Sequence, residues 1–253
     1  MGIRIIDLSL PLQNFCYYPN SPEIVYWNHH EGTRRAGISN SLNEDDFPDR
    51  MHLAIEKITL VSHSGTHMDA PYHYGPQVEG KFGKTIDQIP LEWCYGDAVV
   101  LNLTHKKRGE LITLEDLKSA LAAINYNIKP WDIVLLRTDA YKYFDRYDYT
   151  QAGPGMGREG TIWLVEQGVK VMGIDTYTFD RPHTVMVKDH KRGVKGSLWP
   201  AHYVAREVEC FHMESLANLD QIPKPFGFKV AAFPIKISKA SGAWVRPVAI
   251  VEE

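Results

Sequence analysis

The eleven residues His63-Ser-Gly-Thr-His-Met-Asp-Ala-Pro-Tyr-His73 gather three imidazoles and one carboxylate, a ligand set that suits a divalent zinc, manganese or iron ion. The four polar side chains stand at odd positions, 63, 67, 69 and 73, so an extended backbone projects most of them to one side. A helix is not expected here: Gly65 weakens it, Pro71 interrupts it, and His67 and Asp69 at i, i+2 do not share a helical face. The motif is therefore expected on a strand end running into a loop. Polar residues at a turn can also satisfy one another, with Gly65 and Pro71 supplying backbone geometry. That accounts for one or two histidines but not for three.

The elements that position this motif are expected to be mostly strands. Apolar, β-branched runs at 3–10, 53–61, 98–103, 133–137, 169–174, 230–237 and 245–251 are bounded by Gly, Pro or Asp. Thr113 and the following Leu-Glu-Asp-Leu-Lys-Ser-Ala-Leu-Ala-Ala-Ile predict a capped amphipathic helix with Leu114, Leu117, Leu121 and Ile124 on its apolar stripe. A second helix is predicted over 159–167, ending at Gly168. The mixture indicates an α/β protein with a central sheet or barrel. The longest irregular stretches, 140–157 and 178–199, carry Tyr, Arg and His residues suited equally to a pocket wall and to a solvated surface. Phe15, Tyr17, Tyr18 and Trp27 suit an aromatic wall, although each taken singly is first a core residue.

At 253 residues and 44% apolar composition the chain can bury a large core, and no linker, repeat or low-complexity tract divides it, so a single domain over 1–253 is expected. A net charge of −3 with interspersed signs provides no basic stripe for nucleic acid and no basic amphipathic helix for a membrane; the expected partner is a small molecule. Cys16, Cys94 and Cys210 are odd in number and far apart, which argues against a disulfide framework and for a reducing, cytoplasmic setting. The opening MGIRIIDLSLPL is too short an apolar stretch for a signal peptide. Gly155-Met-Gly-Arg-Glu-Gly160 matches G-x-G-x-x-G, but the polar segment before it is no buried strand, so a helix start is expected there rather than a dinucleotide site.

With its H-x-G-T-H-x-D-A-P-x-H pattern intact, the chain resembles the cyclase family of metal-dependent hydrolases, which includes bacterial kynurenine formamidases and isatin hydrolases. The resemblance continues through Asp132-Ile-Val-Leu-Leu-Arg-Thr138, Gly173-Ile-Asp-Thr176, His202 and Glu214, Asn218-Leu-Asp220 and Pro234-Ile-Lys-Ile237. It implies a swivelling β/β/α fold, assembly as a dimer or larger homo-oligomer, and action on an amide or related acyl bond. Residue by residue, it implies His63, His67 and Asp69 as ligands of one Mn²⁺ or Zn²⁺, Asp69, His202 and Glu214 as ligands of a second, and His73 as the catalytic histidine. A carboxylate can bridge two cations, and a bound ion lowers the pKa of water to roughly 7, which agrees with hydrolysis near neutral pH.

Compact formamidases of the family usually carry Pro after Gly-Ile-Asp-Thr, whereas Tyr177 follows Thr176 here and a long His-bearing segment comes next. The resemblance therefore implies a small aryl or cyclic amide, isatin-, lactam- or imide-like or an N-formyl aryl amine, with an arylformamidase acting on N-formylkynurenine as the alternative. Two other classes remain open on the residues: His63, His67 and Asp69 also compose the facial triad of a non-haem Fe(II) oxygenase, and a fold of this kind can bind metal without catalysis. Asp175 is expected to orient a ligand or to close a strand end. His29, His30, His52, His105, His183, His190 and His212 show no ligand spacing and are left outside the site.

Overall fold

The structure, a computed structural model, describes residues 2–14, 16, 17, 19 and 21–252. It forms two compact units, Leu12–Val61 and Met1–Pro11 with Ser62–Glu253. The smaller unit pairs the strands Glu23–Trp27 and Ile55–Thr59 antiparallel and carries the helix His29–Asn40 (α1). Asn28 caps that helix by accepting from the Glu31 amide, and Ser41 ends it in a left-handed conformation. Only Gly32 and Thr33 of α1 are buried, so the sequence has no apolar stripe from which to forecast it. The run at 53–61 was expected in the core, yet Ile55–Thr59 is exposed along its whole length. Of the N-terminal aromatics, Tyr17 is exposed rather than core, Trp27 is half-buried beneath the Arg35 guanidinium, and Phe15 and Tyr18 lie outside the described residues.

The larger unit is built on a sheet of nine strands: Ile3–Asp7 (β1), His67–Asp69 (β2), Tyr95–Asn102 (β3), Ile133–Arg137 (β4), Val171–Ile174 (β5), Phe211–Glu214 (β6), Phe226–Ala231 (β7), Gly242–Trp244 (β8) and Val248–Glu252 (β9). Their order is β1-β9-β7-β3-β4-β5-β6-β2-β8. From β3 to β6 neighbours run parallel; all other pairings are antiparallel. Parallel neighbours need long crossovers. Helix Leu114–Ala123 (α3) lies between β3 and β4 in the chain, Arg158–Glu166 (α4) between β4 and β5, and His183–Lys191 (α5) between β5 and β6. A four-residue helix, Pro71–Tyr74 (α2), follows β2.

The parallel strands are apolar at consecutive positions because both of their faces are covered. Val99, Leu101, Val134, Leu136, Met172 and Ile174 pack with Leu117, Leu121 and Leu164 of the helices. The alternate residues Ala98, Val100, Ile133, Leu135 and Val171 join Phe211, Met213, Val230 and Ala249 in a second core. Each fully buried Leu, Ile or Phe contributes roughly 1.5–3 kcal/mol, so two such layers anchor the strand ends that carry the site. Helix α3 has the expected cap at Thr113 and buries Leu117 and Leu121. Helix α4 begins one residue before the expected start, with Gly157 as its cap. The run at 230–237 stops being a strand at Ala231, with only an isolated bridge from Pro234 to Val245 beyond it, and the run at 245–251 begins a strand only at Val248, after Pro247, which has no N–H to donate to a ladder. Among the described residues no helix is long and apolar enough to cross a membrane.

Candidate metal centre

Strands β2 and β6 pair antiparallel with Glu214 opposite His67, Met213 opposite Met68, and His212 opposite Asp69. Side chains alternate across a strand, so Met68, Phe211 and Met213 enter the core while His67, Asp69, His212 and Glu214 share the other face. That register brings Glu214 to within 3.7 Å of His67, although 146 positions lie between them in the sequence. His73 stands on α2, so Pro71 starts a helical turn instead of forbidding one: its fixed φ suits the first helical position, whose missing N–H is no loss. The expectation of no helix after the strand is corrected at this point.

The other five expected site residues gather around Asp69. Its Oδ1 lies 2.6 Å from His63 Nδ1 and 3.2 Å from His67 Nε2. Its Oδ2 lies 3.7 Å from His202 Nε2, 3.9 Å from His73 Nε2, and 3.3 Å from the Tyr74 hydroxyl, which donates to it. Glu214 spans the same two sides, with Oε2 3.7 Å from His67 Nε2 and Oε1 3.3 Å from His202 Nε2. Among the described residues, His67–Asp69–Glu214 and His63–Asp69–His73 each place three donor atoms within 4.8 Å of one another, close enough to hold an ion. His73 thus stands at ligand distance as well as at the distance of a proton carrier, and its ring stacks on His63 at 4.0 Å.

The imidazoles are fixed from behind. His67 Nδ1 is 2.9 Å from the Gly65 carbonyl, so it carries a hydrogen and leaves Nε2, which faces the carboxylates, as the nitrogen that can give up its proton and turn a lone pair to an ion. His202 Nδ1 is 2.6 Å from Asp180, whose carboxylate also accepts from the backbone amides of Ala201 and His202 at 2.8 and 3.0 Å. Glu214 accepts from the Phe179 amide at 2.7 Å. Nitrogen and carboxylate donors whose far sides are already bonded fit a divalent ion, and orienting partners of this kind fix tautomer and ring angle. Two glycines make the arrangement possible. A Cβ on Gly242 would lie 2.6 Å from the His63 ring, and one on Gly155 would lie 2.1 Å from the backbone of Asp180 and Arg181. Close chain approach, with Gly157 capping α4, is what the G-x-G-x-x-G stretch provides.

Burial opposes charge on His67, but Asp69 and Glu214 outweigh it and raise its pKa to about 9 in the ion-free protein. Burial would likewise raise Asp69, yet His67 and His63 hold its carboxyl well below the usual range. His73 is lowered by burial against the pull of Asp69, which favours the neutral ring. Burial and the adjacent Asp69 raise Tyr74 well above 10, so its phenol stays protonated.

The cluster lies in a cavity of about 400 Å³ that is also lined by Tyr177, His183, Trp199, Tyr203 and Arg206. Tyr177, His183 and Trp199 come from or adjoin the stretch 178–199, so it does wall a pocket, and part of it is helix α5 rather than loop. Only Met186 of that helix is buried, which is why its sequence shows no periodicity. His183, which shows no ligand spacing, lines the cavity, and Asp180, which has no spacing signal either, holds the His202 ring. Neither has a local signal, since each acts through residues distant in the chain. Asp175, in contrast, accepts from the Thr138 amide and hydroxyl and the Asp139 amide, closing β4 onto β5 away from the imidazoles.

Known proteins resemble the chain in sequence and in fold. The Cyclase family model matches residues 6–181, a span that ends before His202 and Glu214. The chain is 29% identical over 194 residues to a kynurenine formamidase of Paracidovorax citrulli, covering 77% of this chain and 78% of that one. It is 26% identical over 208 residues to an isatin hydrolase of Roseibium aggregatum, covering 77% and 73%. A crystal structure of an isatin hydrolase bound to the product analogue thioisatinate superposes with a TM-score of 0.79 at 20% identity, covering 99% of this chain and 93% of the other.

Proposed function

Because the chain belongs to the Cyclase family, we propose that it is a metal-dependent amidohydrolase that cleaves the C–N bond of a small aryl or cyclic amide. The observation that carries this reading is the convergence of four imidazoles and two carboxylates at one end of a cavity whose remaining wall is largely aromatic. His63, His67 and Asp69 would hold one ion, and Asp69, His202 and Glu214 would hold a second where two are bound. The donors are nitrogen and oxygen without thiolate, a set that suits Mn²⁺ or Zn²⁺. Such ions supply Lewis-acid activation of water and of the amide carbonyl.

The chain's own groups account for the proton movement. Neutral His73 takes a proton at Nε2 from the attacking water and returns it to the amide nitrogen as the C–N bond breaks, leaving an amine and a carboxylic acid that ionises and releases its proton to solvent. Tyr74, held protonated, donates to Asp69 Oδ2 and keeps that oxygen facing the imidazoles. Aromatic side chains at Tyr177, His183, Trp199 and Tyr203 suit a flat ring. The similarity to an isatin hydrolase supports a cyclic amide; the similarity to a kynurenine formamidase supports N-formylkynurenine as the second candidate. In the smaller unit, Val25, Tyr26, Ile55 and Ile58 are each at least 40% exposed, which supports assembly as a homo-oligomer that covers them; light scattering would give a dimer or tetramer, and a monomer refutes it.

The test is proton release on isatin, lactams, cyclic imides and N-formyl aryl amines, with Mn²⁺ or Zn²⁺ and with chelator, in air and without it. Chelator-sensitive, oxygen-independent release is expected. Strict dependence on dioxygen would replace the hydrolase with the oxygenase reading.

A further inference from the structure

The single turn His202–Arg206 carries more than a ligand-type histidine. Trp199, Tyr203 and Arg206 line the cavity together with His202. Their rings form a chain, His183 to Trp199 at 5.5 Å between centroids and Trp199 to Tyr203 at 6.5 Å, and the Arg206 guanidinium caps it 3.9 Å from the Tyr203 ring centre. Trp199 sits at φ +45°, a left-handed conformation that a bulky residue rarely adopts, and its carbonyl accepts from the Tyr203 amide at 3.0 Å. The backbone thus holds the indole in the wall at a conformational cost.

Arg206 is held as firmly. Its Nε donates to the Tyr74 carbonyl, and its side-chain stem packs at 3.3 Å from where a Cβ on Gly75 would stand. The neighbouring acids are committed elsewhere: Glu207 forms a two-bond pair with Arg158, and Glu209 pairs with Lys84. Among the described residues no carboxylate forms an ion pair with Arg206, so a guanidinium whose Nε is already bonded lines the cavity without an acidic partner. A planar guanidinium with free parallel N–H groups, stacked on an aromatic face, is the geometry that binds a carboxylate through two hydrogen bonds.

We infer that Arg206, Tyr203 and Trp199 form a carboxylate-binding subsite, and that the preferred substrate is an aryl amide bearing a carboxylate besides the scissile amide. This rests on the hydrolase reading for the reaction, though not for the binding. Arg206 also bonds the carbonyl that ends α2, the helix of His73, so a purely structural role is the competing account; that role would affect charged and neutral substrates alike.

The experiment compares N-formylanthranilate with N-formylanthranilamide, which differ only in carboxylate against carboxamide, on metal-loaded wild type, Arg206→Gln and Arg206→Lys. The expected result is an acid-to-amide preference of about 10- to 100-fold in kcat/KM, carried by KM, that collapses toward unity in Arg206→Gln and is reduced in Arg206→Lys, which keeps the charge but not the fork. Should the Gln variant fail to fold, the Lys variant carries the comparison. No preference in wild type, or the same preference in the variants, overturns the subsite. If neither compound is hydrolysed, calorimetric binding of anthranilate and anthranilamide to the same proteins decides: Arg206-dependent preference for the acid upholds the subsite while the reaction assignment falls, and equal binding overturns it.

Discussion

Asp69 and Asp175 are both fully buried aspartates near strand ends of one sheet, and they differ in what surrounds them. Asp175 spends its oxygens on the Thr138 amide and hydroxyl and the Asp139 amide, donors that have no other use. Asp69 faces His63, His67, His73 and His202, donors that can exchange a proton or a carboxylate contact for a cation, and it opens onto a cavity. Burial pushes the Asp175 carboxyl up to about 7 against the pull of Thr138, whereas the imidazoles hold Asp69 far down. A perturbed carboxyl is therefore no mark of function by itself; the exchangeability of its partners and the space beside it are.

The comparison breaks most sharply at Asp69. Asp69→Asn is expected to lose bound metal and to lower turnover by more than the roughly 10²–10⁴-fold that general acid–base catalysis supplies, as metal analysis and assay together would show. A variant that kept both would remove the distinction between the two aspartates. His73→Ala should lower kcat by about 10²–10⁴-fold and flatten the pH–rate profile while retaining metal, which separates proton transfer from ion binding. Asp180→Asn should weaken metal affinity roughly 10–100-fold, because it releases the His202 ring; a titration followed by the metal-induced rise in Tm checks this independently of turnover.

The sign of the pH effect sharpens the contrast further. His67 sits at about 9 without an ion and must be deprotonated to bind one, so metal loading at pH 7.5 should release about one proton from it, and affinity should climb as pH rises toward 9. Calorimetry in buffers of different ionisation enthalpy measures that release; none would contradict the assignment. Asp175 works the other way on stability. Its folded pKa of about 7 exceeds the ordinary 3.8, so its contribution is full below pH 3.8 and is lost as pH rises through 7. Asp175→Asn should cost about 1–3 kcal/mol through donors left facing an amide, with the gap to wild type narrowing toward pH 8 and metal affinity unchanged.

Local residue types were enough for part of this. His63, His67, Asp69 and His73 announce a metal centre by spacing, and Thr113 with Leu117 and Leu121 announces a helix through its cap and periodicity. Elements without a stripe, α1 and α5, leave no such mark, and Pro247, which delays the last strand, counts only once the ladder around it is known. His202 and Glu214 were nameable through family resemblance, whereas Asp180 and His183 were not.

By itself, then, the sequence determined the donor set, that strands make up most of the core, and that nothing in the charge pattern favours nucleic acid. The tertiary structure alone decided how the set closes. Pairing β2 against β6 in one register puts Glu214 opposite His67, and a slip of a single residue would turn it into the core. It also decided that Gly242 leaves room for His63, that Asp180 reaches His202, and that Arg206 stands on the cavity wall without a carboxylate. Those relations are distances between residues far apart in the chain, and local propensity carries no information about distance.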